Sequence, residues 1–336
     1  MRHVLTAHAP TIEQDLEAHR RGLTGYCYRM LGSGSEAEDA VQETMIRAWR
    51  NADKLQDRAA LKSWLYRIAS NVCFDMLGGV QRRAQPMDLG PASAADAALG
   101  DPEAYLWVQP IADSKVLPEG DPAAVADHKE TLRLAFVAAL QHLPPRQRAV
   151  LVLREVLRWH ASEVAELLDT SVASVNSALQ RARASLDDLD LDQEGAARSD
   201  DAEQQALLQK YVAAFEAYDI SSLVTLLHDD AKFSMPPFPL WVQGPDAIHD
   251  FMLGTGAHCE GSKVLTTEAN GCPAVGVYHP AETSYEPWAV VVVETSAGRI
   301  SGLHHFLYPE LFPAFGLPER LDREHAGQAD ELEQTT

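Results

Sequence analysis

No apolar run in this 336-residue chain approaches the ~18 to 20 residues needed to cross a bilayer. The longest, around Ala289 to Val293, has the length of a buried strand, so no membrane span is expected. The opening MRHVLTAHAPTIEQDLEAHRR lacks an apolar stretch followed by small residues; no secretion signal is read there, and a cytoplasmic location is expected. Also missing is any CxxC pair. Cys27, Cys73, Cys259 and Cys272 are widely spaced, which disfavours a zinc site or a disulfide framework, and they read as buried thiols. Thirteen histidines include the adjacent pair His304 and His305 but no HExxH motif, so neither a metal nor a cofactor is expected.

Positive charge is scarce overall: 28 Lys and Arg face 49 Asp and Glu, a formal net charge of −21. The imbalance is local. Lys plus Arg against Asp plus Glu runs 12 to 10 over residues 1–84, 1 to 7 over 85–125 and 8 to 6 over 126–186. The acid therefore lies mostly outside two near-neutral segments. Such a chain repels free DNA, and unaided binding should be weak and salt-sensitive, which favours delivery to DNA by a larger partner.

From Ile12 to about Arg83 apolar residues recur at helical spacing, interrupted by Gly32-Ser33-Gly34-Ser35. Ser35 is expected to cap the next helix, with Glu36, Glu38 and Asp39 in its first turn. Residues 85–125 are rich in Pro, Ala, Asp and Gly and read as an acidic linker that could extend roughly 130 Å. Tyr105, Trp107 and Val108 are too apolar for a free tether, so part of it should dock. Helical spacing returns at 126–190. A second acidic stretch follows. Two helical segments and five β-type runs (Ala231 to Met235, Lys263 to Ala269, Ala274 to Tyr278, Pro287 to Glu294, Ile300 to Phe306) then make an α+β domain over 201–318, with a polar tail at 319–336. The fold class is thus multidomain, two all-α modules followed by an α+β domain.

Within the second module, ASEVAELLDTSVASVNSALQRARASL spans residues 161–186. Val164, Ala165 and Leu168 give one short helix an apolar face, Asp169 to Ser171 a turn, and Val172, Val175, Leu179, Ala182 and Leu186 the face of a second helix. This is the pattern of a helix-turn-helix. Ser171 is placed to cap the second helix, whose outward side carries Ser174, Asn176, Ser177, Gln180, Arg181 and Arg183. Amides and hydroxyls suit base edges in the major groove; arginines suit phosphate or guanine. On periodicity alone, an ordinary helical hairpin with a solvated face remains open.

The longer segment QHLPPRQRAVLVLREVLRWHASEVAELLDTSVASVNSALQRARASL resembles the fourth region of sigma-70 family factors. SEAEDAVQETMIRAWR resembles the second-region helix that grips the polymerase β′ clamp, and LKSWLYRIASNVCFDMLGGVQRR the adjoining segment that melts the minus-10 element. The resemblance covers 12–84 and 126–186 with no intervening domain, as in the extracytoplasmic-function group. It implies a transcription initiation factor that binds core RNA polymerase (β′ clamp and β flap) and promoter DNA. Asp39, Gln42 and Glu43 would touch polymerase, and the recognition residues above would meet the minus-35 element. Lys62, Arg67, Asn71, Asp75, Arg82 and Arg83 would face the opened strand, with Trp64, Leu65, Ile68, Val72 and Leu77 as core. Gly78-Gly79-Val80 precedes Arg82 where the family often has a dense basic run, and Asn176 and Ala178 stand where many members are basic, so phosphate contacts should be fewer. The linker would thread through polymerase channels.

YVAAFEAYDISSLVTLLHDDAKFSMPP, GPDAIHDFM and EANGCPAVGVY resemble the SnoaL-like, ketosteroid-isomerase-like fold, a cone of curved sheet closed by helices. Phe215, Phe233, Met235, Trp241, Trp288 and Phe306 are candidates to line it. In this setting the resemblance implies a regulatory part rather than a catalyst, packing on the sigma modules or the linker. A separate anti-sigma factor remains a candidate partner. Two rivals stand beside this reading: a SnoaL-like isomerase or hydrolase with a DNA-binding half, and a helix-turn-helix repressor that works without polymerase.

Overall fold

The computed structural model describes residues 12–55, 57–78, 83–102, 107–118, 122–187 and 201–323. Packing divides the chain into two compact units. The described residues within 1–80, 115–125 and 140–188 form one; those within 81–114, 126–139 and 189–336 form the other.

In the first unit, α1 (Ile12–Ala18), α2 (Arg20–Leu31), α3 (Gly34–Arg50) and α4 (Leu61–Leu77) form a bundle. The chain leaves α2 through Gly32 at φ 70°, a left-handed position suited to glycine, and Ser33 then adopts the extended conformation of a cap. Its hydroxyl accepts from the Glu36 N–H at 3.3 Å. The cap is therefore Ser33, not Ser35, because the tight exit from α2 starts α3 at Gly34. The second half of α2 is buried throughout, and Tyr26 shares a 2.7 Å hydrogen bond with Ser70 of α4. On α4, Leu65 and Val72 are core, whereas Trp64, Ile68 and Leu77, expected there too, are only half-buried.

The chain then runs through α5 (Pro122–Glu130) and α6 (Leu134–Gln141), each begun in one unit and ended in the other. Back in the first unit, α7 (Pro145–Leu151) continues into a π turn, Val152–Val156, before α8 (Ala161–Leu167) and α9 (Val172–Asp187). Arg148 of α7 is 4% exposed. It donates to the carbonyl oxygens of Met30, Gln141 and Leu143 and to Gln141 Oε1, which joins α7 to the N-terminal bundle. Burial pulls its pKa down to about 10, leaving it charged at neutral pH.

The second unit holds α10 (Asp201–Glu216), α11 (Ile220–Val224), α12 (Pro245–Leu253) and strands β1 (Leu227–Ser234), β2 (Trp241–Gln243), β3 (Lys263–Ala269), β4 (Cys272–Pro280), β5 (Ser284–Ser296), β6 (Arg299–Phe306) and β7 (Leu321–Asp322). The five β-type runs fall on β1, β3, β4, β5 and β6; β2 and β7 are too short to show a period. Strand order is β2-β1-β6-β5-β4-β3, with β7 on β5, and neighbours are antiparallel except β1 and β6. Asp219 caps α11 by accepting from the Ser222 N–H at 3.0 Å.

Side chains alternate across a sheet, so each strand serves two faces. One face carries Phe233, Met235, Val291, Val293 and Leu303, packed with Phe215 and Phe251 from the helices and with half-buried Trp288. Trp241 and Phe306, expected to line the same interior, fall outside this cluster. Trp241 pairs with Ser234 and Phe306 follows His305, so both take the opposite face from Phe233. His305 does face the interior, 4.4 Å from the Phe233 ring, and burial pushes its pKa down to about 3.

Candidate nucleic-acid interface

Helix α9 is amphipathic in the sense its sequence suggests. Val175, Leu179 and Ala182 are buried, while Ser171, Ser174, Asn176, Ser177, Gln180, Arg181 and Arg183 are all exposed. Ser171 caps the helix by accepting from the Ser174 N–H at 3.1 Å. Arg181 donates to Ser177 Oγ at 2.7 Å, and Arg183 pairs with Glu155 at 2.7 Å. Three details differ from the apolar faces read in the sequence, one being that Leu186 is only half-buried near the end of α9. Val172 is 44% exposed at the start of α9, and Leu167 rather than Leu168 fills the core from α8. Asp169 takes φ 51° in the turn between the helices, and Leu168, at the end of α8, is only half-buried.

On α4, Arg67, Asn71 and Asp75 are exposed at four-residue spacing, a stripe on one face, while exposed Lys62, five residues before Arg67, lies off that stripe. The stripe is not empty. Lys62 Nζ lies 5.4 Å from the centre of the Trp159 ring, Tyr66 packs against the same ring at 5.1 Å, and Arg67 Nε donates to Leu167 O at 3.3 Å. Asp75 receives a 3.4 Å contact from Arg47, which also holds Glu43 at 2.6 Å. Arg83 is buried and donates to Trp107 O at 2.7 Å, so in this state it does not face outward. Arg82 lies outside the described residues.

Helix α3 buries Ala37, Ala40, Val41, Thr44 and Ala48 and exposes Asp39 and Gln42, with Glu43 half-buried beside them. The outward face continues through two apolar residues that the sequence reading passed over, Ile46 at 37% and Trp49 at 61% exposed. Their signal was present in the spacing 39, 42, 46, 49, which climbs one helix face.

Three family models match in the order this geometry suggests: Sigma-70 region 2 over residues 16–83, Sigma-70 region 4 over 133–186, and a SnoaL-like domain over 208–302. The ECF RNA polymerase sigma factor SigG of Mycobacterium tuberculosis is 42% identical over 309 residues, covering 91% of this chain and 83% of SigG. The chain belongs to the extracytoplasmic-function sigma factors. SigJ of the same organism is 27% identical over 322 residues, 91% of this chain and 95% of SigJ. In the crystal structure of the M. tuberculosis sigma factor SigJ the same fold recurs, with a TM-score of 0.58 at 23% identity over 90% of this chain and 99% of that one.

This sigma factor is a transcription initiation protein by family, with a SnoaL-like domain appended. Among the described residues no helix is long and apolar enough to cross a membrane, and no group of three or more His, Cys, Asp and Glu side chains could hold a metal ion. All four cysteines are buried and unbridged.

Proposed function

We propose that this sigma factor binds core RNA polymerase through α3, meets the opened minus-10 strand with α4 and reads the minus-35 element with α9, working in the cytoplasm and without covalent chemistry of its own. The observation that carries the reading is α9: every residue assigned to base or phosphate contact is exposed on a helix whose other side is core. Asp39, Gln42 and Glu43 supply the polar part of the polymerase contact, and Ile46 and Trp49 an apolar anchor beside it. On α4, Arg67, Asn71 and Asp75 form the strand-facing stripe, Lys62 adds positive charge near the start of the helix, and Arg82 and Arg83 join them in the open complex. The SnoaL-like domain modulates initiation.

The test is run-off transcription with core RNA polymerase and genomic promoter fragments, comparing the full chain with one ending near Gly195. Specific starts that core alone does not make support the reading, and a change on truncation gives the sign of the C-terminal effect. Absence of both core binding and initiation by either protein would overturn it.

A further inference from the structure

The tip of the β3–β4 hairpin is Asn270-Gly271, at φ 56° and 71°, the left-handed pair of a tight two-residue turn. Such tips normally face water. Here Asn270 is fully buried. Its N–H donates to Ile111 O at 3.1 Å, its Oδ1 accepts from the Ile111 N–H at 3.0 Å, and its Nδ2 donates to Leu132 O at 2.7 Å. Gly271 N–H donates to Asp113 Oδ1 at 2.8 Å, and Ala112 pairs with Ala269 as an antiparallel bridge. Three consecutive linker residues are thus read by one turn. Nor can that turn change freely, because a Cβ on Gly271 would lie 2.7 Å from Lys129 O.

The grip extends along the linker. Trp241 Nε1 donates to Gly90 O at 3.0 Å, Trp241 O accepts from the Ser93 N–H at 2.7 Å, and Ala97 and Leu99 pack against the interior cluster. Trp107, Val108 and Ile111 are at most 2% exposed. A segment that the sigma-factor reading sends through polymerase is therefore held at Gly90, Ser93 and Ile111–Asp113 within its own second unit.

One contact is out of balance. Asp113 is 2% exposed, and its Oδ2 has no hydrogen-bond partner among the described residues. Glu268 of β3 faces it with like charge, Lys129 of α5 with opposite charge, and Cys272 of β4 with a thiol kept neutral by burial. A buried carboxylate so placed favours its proton.

We propose that the Asn270–Gly271 turn is a latch for the linker, closed on Ile111–Asp113 in the free sigma factor and opened when the linker enters polymerase, with Asp113 as the pin whose ionisation loosens it. This rests on the sigma-factor reading above. The SnoaL-like domain then restrains initiation by holding the linker, and its hold is tighter in acid.

The sign follows from the carboxyl. Burial pushes it up to about 6 in the latched state, against the Gly271 N–H that pulls the other way, while a free linker aspartate titrates near ~4. The latched form therefore takes up a proton, its advantage is complete below pH ~4, and it is lost as pH rises through about 6. Between pH 5 and pH 7.5 latch affinity should fall about tenfold.

The test is hydrogen exchange by mass spectrometry on the full chain, following amides 107–114 with intrinsic rates removed. Wild-type protection should drop about tenfold from pH 5 to pH 7.5, while Asp113→Asn, which is always neutral, should stay flat. Asn270→Ala should lose protection at both pH values and, in run-off reactions with core polymerase at pH 7.5, should initiate more than wild type. Gly271→Ala is the second latch-breaking variant, in case Asn270→Ala does not fold. A wild-type pH response shared by Asp113→Asn would overturn the pin. Lost protection without a gain in initiation would overturn the latch as a restraint. If no protein initiates at all, the sigma-factor reading fails, and the exchange result still decides whether the latch binds as described.

Discussion

Arg67 on α4 donates from Nε to the main-chain oxygen of Leu167, the last residue of α8, one hundred positions later in the chain. A second donation from the same guanidinium reaches Glu166 O. The final carbonyls of a helix have no intrahelical donors, and a cation there also meets the favourable end of the helix dipole. The same Arg67 belongs to the stripe proposed for the opened strand, so on that reading α8 and the strand would compete for it.

Trp159 is the apolar partner in that contact, 7% exposed and set against Tyr66 and Lys62. Trp159→Ala should destabilise the first unit by about 3 kcal/mol, the usual cost of emptying an aromatic site in a core. A urea midpoint unchanged from wild type would show that the ring contributes no packing there.

Arg148 satisfies four acceptors from a buried position, so its removal strands several of them. Arg148→Ala should cost about 3–5 kcal/mol, and Arg148→Lys should recover only part because an ammonium cannot reproduce the planar fork. Equilibrium unfolding of the three proteins distinguishes this from a simple charge effect, for which Lys would restore wild-type stability.

Trp49 gives the opposite pattern. At 61% exposure, Trp49→Ala should leave stability within about 0.5 kcal/mol of wild type. On the proposed polymerase-binding face, however, an exposed tryptophan typically contributes ~2 kcal/mol or more, so affinity for core polymerase should fall roughly thirtyfold. Equal affinity of the two proteins in a direct binding titration would remove Trp49 from the interface.

On the proposed reading, Gln180 would meet a base and Arg181 a phosphate. Arg181→Ala should weaken promoter complexes evenly across sequences and reduce the salt slope by about one, whereas Gln180→Ala should relax preference at one minus-35 position. Holoenzyme binding at several salt concentrations checks both. A uniform loss for Gln180→Ala would make it a backbone contact.

His305 gives the SnoaL-like domain an acid sensitivity of opposite sign to the latch. Its pKa is pushed down to about 3 by burial against an unfolded value near ~6.5, so the unfolded chain takes up the proton first as pH falls. Stability is present above pH ~6.5 and lost on the way down to 3, by an amount on the order of 4 kcal/mol. His305→Phe should flatten the fall in melting temperature between pH 7 and pH 4; an equal fall in both proteins would assign the effect elsewhere.

The sequence by itself determined the local and periodic features. Helical spacing in 161–186 gave the helix-turn-helix with its cap at Ser171, alternation gave the five main strands, and the exposed side of α9 followed from which positions were apolar. These depend on neighbours within a turn or a pleat, and periodicity reports such neighbours directly. Only the tertiary structure decided what distant segments do to one another. It turned Trp241 and Phe306 away from the interior, set α8 on Arg67 and buried Arg83 against Trp107. Above all it put Asn270, by composition an ordinary hairpin residue, under the linker at Ile111. Contacts across a hundred residues or more leave no period in a sequence, because they are fixed by which surfaces meet once every local element has formed.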